Sequence, residues 1–202
     1  MGATHTPADL AGQPATGEDP APVAWPPRRD LLCALAREHR DLDALATWLI
    51  RRPPRPSDRG TIDRFLQQMT LHEVAEEVLL GPVMDAVLDG SGLATQRDVE
   101  QLALLATSDQ LRDLPTLAVD DLRGLHQRFV EHSDREELEV FPHLRHVLSP
   151  RQLASGWQQL ERLRRRMLPG SEPLAGPTDD AWRSDDVRRI ARSLVTGTDG
   201  RP

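Results

Sequence analysis

His72 and Glu76 form a pair that recurs as His132 and Glu136: a histidine followed by a glutamate four positions on. Each pair sits in the same longer spelling of histidine, three residues, Glu-Glu, four residues and proline. The two copies are HEVAEEVLLGP at 72–82 and HSDREELEVFP at 132–142. A four-residue step on a helix puts both members of a pair on one face, a turn apart. Imidazole nitrogen and carboxylate oxygen suit iron, manganese or zinc. A carboxylate can also bridge two cations. The only cysteine, Cys33, lies in neither copy, so soft sulfur ligation is out.

The neighbouring residues give these pairs weight. Leu122, Leu125 and Phe129 lead at helical spacing into His132 and Glu136. Ile62, Phe65, Leu66 and Met69 lead into His72 and Glu76, followed by Leu79, Leu80 and Val83. Both pairs therefore interrupt an apolar stripe that should face a core. A third stripe, Leu31, Leu35, His39, Leu42, Ala46 and Leu49, places His39 inward as well. A single HxxxE is ordinarily a surface pair or a satisfied core histidine. Two matched copies and an inward His39 favour a metal site, because a buried carboxylate is costly unless a cation accompanies it.

Helices must carry these residues. The spacing predicts a first helix from about Asp30 to Arg52 and a break at PPRPSDRG. A second runs from Ser57, as N-cap, to about Leu88, with Pro82 able to kink its last part. After the DGSG loop, a third helix follows Thr95, with Val99, Leu102, Leu105 and Ala106 inward. A fourth spans Leu117 to Leu148. Ser149 and Pro150 read as N-cap and first turn of a fifth, with Leu153, Trp157, Leu160, Leu163 and Met167 as its stripe. No run of alternating β-branched residues suggests a strand. The expected fold is all-α, an up-down-up-down four-helix bundle with an additional C-terminal helix and flexible tails. Residues 1–27 read as a disordered tail and 29–168 as the domain. Residues 169–202 read as a C-terminal tail with a short helix near 184–195.

The residues EHRDLDAL at 38–45, HEVAEE at 72–77 and HSDREELEVFP resemble the hemerythrin-like HHE cation-binding domain family, over about residues 29–168. The resemblance implies a non-heme diiron centre, with two irons per chain. His39, His72 and His132 would be terminal ligands, and Glu76 and Glu136 bridging ones. The family's histidine on helix 3 is missing. The predicted stripe puts its slot at Gln96, with Gln101 and Glu100 as further candidates. An open position there favours O2, NO or peroxide as ligand. The same opening leaves room for oxidase or oxygenase chemistry on a small organic substrate, in which case the enzyme is a diiron oxidoreductase. An iron- or oxygen-responsive regulatory module and a bundle without metal are the other readings. Glu73 and His143 are peripheral candidates, and Glu77 and Glu137 are expected beside the ligands or at the surface.

The 202-residue chain carries a net charge of -7, which gives no attraction to nucleic acid or anionic membranes. No apolar run is long enough to span a bilayer, no secretory signal opens the chain, and a cytoplasmic location is expected. There is no tyrosine, hence no tyrosyl radical. Neither a glycine-rich phosphate loop, nor GxSxG, nor a zinc-finger cysteine pair is present.

Overall fold

The structure, a computed structural model, describes residues 29–52, 58–88, 92–167 and 183–196. The expected N-terminal tail at 1–27, the expected N-cap Ser57 and most of the C-terminal tail lie outside these residues. Among the described residues seven α-helices follow in order: α1 (Leu31–Ile50), α2 (Arg59–Val87), α3 (Leu93–Asp113), α4 (Val119–Arg135), α5 (Phe141–Val147), α6 (Pro150–Met167) and α7 (Ser184–Thr196). A π-helical turn, Glu136–Val140, joins α4 to α5. Among the described residues there is no strand. No described helix is long and apolar enough to cross a membrane.

Side-chain pairs fix the topology. Between α1 and the α4–α5 rod they run Asp30–Arg145, His39–Glu137 and Asp43–His126. Between α2 and α3 they run Thr70–Ser108 and Glu76–Arg97, and the Arg59 guanidinium donates to the Arg112 carbonyl. Between α3 and α4 they run Arg97–Glu136 and Thr107–Arg128. In each set one number rises as the other falls, so neighbouring helices are antiparallel and the bundle is up-down-up-down. Helix α1 packs on α2 and α4, and α3 closes the ring by packing on the same two.

Local signals explain several boundaries. The Asp30 carboxylate accepts from the Cys33 amide at 3.0 Å and caps α1. Ser149 and Gln152 form a reciprocal capping box at the start of α6, whose first residue, Pro150, has no amide hydrogen to lose. Helix α2 continues through Pro82, whereas the α4–α5 rod widens to a π turn before Pro142. There the Phe141 amide donates to the Glu136 carbonyl. A proline cannot donate to the carbonyl four residues back and clashes with it, and the wider turn relieves both problems. The expected single helix 117–148 is thus a rod with one wide turn in it.

Helix α3 corrects the predicted stripe. Val99 and Leu102 are 62 % and 55 % exposed, and Ala106 faces solvent too. The buried residues are Arg97, Gln101, Leu104, Leu105, Ser108 and Leu111. Half of that inward face is polar, and the outer face carries Val99, Leu102 and Ala106 at helical spacing, which misdirects a reading based on hydrophobicity. Helices α6 and α7 cover the outer side of α2, leaving Leu71 to Glu76 buried all round.

Two apolar clusters result. One contains Leu42, Leu49, Phe65, Met69, Leu122 and Phe129. The other contains Leu32, Leu35, Leu80, Val140, Leu144 and Leu160. A polar layer from α1, α2, α3 and α4 lies between them.

Candidate metal centre

His39, His72, Glu76, His132 and Glu136 meet in this polar layer, each at most 3 % exposed. Apolar packing above and below dictates their direction, since each follows its helix stripe inward. His39 Nε2 lies 3.5 Å from Glu76 Oε1 and 3.5 Å from Glu136 Oε2. His72 Nε2 lies 3.6 Å from the same Glu76 oxygen. His132 Nε2 lies 3.4 Å from Glu136 Oε1 and 3.4 Å from Glu73 Oε2. Donors about 2.1 Å from one metal are about 3.0–3.4 Å from each other, so these separations are close to those of ligands around an ion. His39, His72 and Glu76 form one group close enough to hold a metal, and Glu73, Glu76 and His132 form another.

The second nitrogen of each ring explains its orientation. His39 Nδ1 pairs with Glu137 at 2.9 Å, His72 Nδ1 with Glu38 at 3.1 Å and His132 Nδ1 with Glu100 at 3.4 Å. An Nδ1 hydrogen donated to a carboxylate leaves the Nε2 lone pair aimed at the centre, which is how metal-ligating histidines are held. The Nε2 atoms of all three rings, Glu76 Oε1, Glu136 Oε2 and both Glu73 oxygens are buried without a hydrogen-bond partner. Such a cluster of orphaned donors is expensive unless a cation completes it. The residues present therefore fit a metal ion. Phe129 and Phe141 pack against His39 with ring centroids 5.9 Å away and keep this side dry.

Arg97 enters the layer from α3. Its Nε donates to Glu136 Oε1 at 2.6 Å and its Nη2 to Glu76 Oε2 at 3.3 Å. Burial alone would raise the Glu136 carboxyl, but the His132 and Arg97 charges hold it well below the usual carboxylate range. Glu76 moves the other way, pushed up by burial and by the Glu136 charge. Burial would lower His132, but Glu73 and Glu136 outweigh it and push it up to about 10. His39 and His72 are raised too, against burial, by the surrounding carboxylates. Without a metal, protons and Arg97 neutralise the layer.

The other sequence candidates are placed as follows. Gln96 is exposed and bonded to Glu100, one position round the helix from Arg97, which takes the inward slot. Gln101 is buried, but its Oε1 accepts from Arg97 and its Nε2 donates to the Glu73 carbonyl. Glu100 backs His132 and pairs with Arg135. Glu73 is fully buried beside His132, because α2 has no solvent face here. His143 is exposed and bonded to the Glu139 carbonyl, away from the centre. Glu137 supports His39, whereas Glu77 pairs with Arg188 and Arg192 of α7. Sequence reasoning missed Arg97 and Glu38. The helical spacing Arg97, Gln101, Leu104, Ser108, Leu111 was the available signal for Arg97.

No curated protein and no solved structure matches the chain. The model of the hemerythrin HHE cation-binding domain matches residues 30–144, a span that begins at the α1 cap and includes the whole polar layer. The match covers more than half of the chain, which therefore belongs to the hemerythrin HHE cation-binding domain family.

Proposed function

We propose that the protein holds non-heme iron in this layer and binds, senses or reacts with O2, NO or peroxide there. The observation that carries the reading is the set of three buried imidazoles, each anchored through Nδ1 by a carboxylate and presenting a bare Nε2 to Glu76 and Glu136. His39, His72, Glu76 and Glu136 would hold the ion, with His132 and Glu73 beside it. Ferrous iron in such a nitrogen and oxygen set supplies an electron-rich centre with room for a small ligand. Manganese and zinc share these donor preferences. The chain's own part is to orient the rings through Glu38, Glu100 and Glu137, to keep water out with Phe129 and Phe141, and to balance charge with Arg97.

A second reading concerns a small organic substrate or effector. A cleft of about 550 Å³ opens between α1, α2 and α6, lined by Arg37, Glu38, Arg40, Gln68, Trp157 and Arg164. An occupant would touch Glu38, and through it His72.

Anaerobic loading with Fe(II), followed by metal counting and optical spectra with O2, NO and peroxide, tests the proposal. Retained iron with a reversible change on oxygenation supports a binding or sensing role. Oxygen consumption that depends on an added small molecule supports the oxidase reading. Protein that retains no iron contradicts both.

A further inference from the structure

The two oxygens of Glu76, and of Glu136, have different neighbours. Glu76 Oε1 and Glu136 Oε2 face His39 and have no hydrogen-bond partner. Glu76 Oε2 and Glu136 Oε1 both accept from Arg97, and Glu136 Oε1 also lies 3.4 Å from His132 Nε2. Were these carboxylates to bridge two ions through separate oxygens, each ion would take one oxygen of each. Here a guanidinium takes the second oxygen of each.

Arg97 is built in, being 2 % exposed. Gln101 Oε1 accepts from its Nη1 at 3.3 Å, while Gln101 Nε2 donates to the Glu73 carbonyl at 2.6 Å. The arginine is thus tied to α2 through Gln101 as well as through Glu76. Guanidinium stays charged in proteins, so it is a permanent cation.

Resting on the metal-centre reading above, we infer that Arg97 is the resident cation of the centre's second half. The chain then binds one divalent ion, at His39, His72, Glu76 and Glu136. The Arg97 guanidinium already lies against Glu76 and Glu136 before any ion is bound. A second divalent ion in this half would sit against it in a medium of low dielectric. The second group, Glu73, Glu76 and His132, is where another ion would sit, and there Arg97 already occupies Glu76 Oε2.

Fe(II) and Mn(II) loading of the full chain, with metal counting after desalting, tests this. Wild type is expected to keep one ion per chain, and its Mn(II) form to give the electron paramagnetic resonance signal of isolated Mn(II). Arg97→Lys, which keeps the charge, should also keep one. Arg97→His removes the permanent charge and offers an imidazole, so the folded variant should take up a second ion, doubling the metal content. Two tightly held ions per wild-type chain, or an exchange-coupled Mn(II) signal, overturns the inference and leaves the metal-centre reading standing. Folded Arg97→His that still holds one ion also overturns it. If that variant fails to fold, the wild-type count and signal decide. Wild type that binds no ion overturns both.

Discussion

His72 Nδ1 lies 3.1 Å from Glu38 Oε2, and Arg164 of α6 donates to the other oxygen of that carboxylate at 2.8 Å. Burial would raise Glu38, but His72 and Arg164 hold it below the usual carboxylate range. A helix outside the four-helix ring thus fixes the tilt of a ring inside it. Glu38→Gln should weaken metal binding about 10–100-fold without changing the number of ions bound. Competition against a chelator of known affinity measures this, and unchanged affinity would remove Glu38 from the site.

Glu136 and Glu76 should behave differently when no metal is present, although the repeat makes them equivalent in sequence. Both Glu→Gln changes should abolish tight metal binding. In metal-free protein, Glu136→Gln deprives buried Arg97 of its closest partner and should cost about 3–5 kcal/mol. That corresponds to a melting temperature lower by roughly 6–20 °C. Glu76 is already pushed toward its neutral form, so Glu76→Gln should cost clearly less. Thermal melts in chelator compare the two, and equal losses would contradict the Arg97 assignment.

The raised His132 gives the metal-free protein a distinctive pH dependence. Its folded value of about 10 exceeds the roughly 6.5 of an unfolded histidine. Its contribution is therefore fully present below about pH 6.5 and is lost as pH rises toward 10. Glu136, held low, contributes above the unfolded carboxylate range and loses that contribution on acidification. Metal-free protein should weaken from pH 7 to 9, while metal affinity rises over the same interval because binding displaces protons. Denaturant melts and metal titrations at several pH values check both slopes. Metal-free stability that climbs between pH 7 and 9 would contradict a charged imidazole in the layer.

Gly156 marks the close approach of α6 to α1. A Cβ there would stand 2.7 Å from Leu31 Cδ2, and Leu31 is 3 % exposed. Gly156→Ala gains about 1 kcal/mol of helix propensity, but overpacking costs about 1–3 kcal/mol. A net loss of up to about 2 kcal/mol is expected in thermal melts. A rise in melting temperature would mean that Leu31 moves aside freely.

The family, the all-helical bundle and the inward course of His39, His72 and Glu76 were legible because each follows leucine or phenylalanine at helical spacing. The same holds for His132 and Glu136. Helix α3 was not legible in this way. Its inner face carries Arg97, Gln101 and Ser108, whose burial depends on partners from α2 and from the Glu136 turn. Pattern alone assigns such residues to solvent. Glu73 was misjudged for a related reason: its side of α2 is closed by helices far along the chain, which local spacing does not reveal.

The π turn at Glu136–Val140 makes the twin motifs unlike screws. It accommodates one residue more than a regular α-turn would, and each helical residue advances the side-chain direction by about 100°. His132 and Glu136 keep the phase of α4, while Phe141 and Leu144 are advanced onto the core by the extra residue. Leu138, 77 % exposed, marks the outside of the wide turn. In α2 no such phase change separates His72 from Met84. The same spacing of His, Glu-Glu and Pro therefore yields two threads of different pitch, and the halves of the α4–α5 rod are keyed to separate layers of the bundle. Loss of a single residue between 136 and 140 would let the rod close into a regular α-helix with both halves still in phase, whereas the same loss between 76 and 80 of α2 would turn its two halves by about 100° against each other.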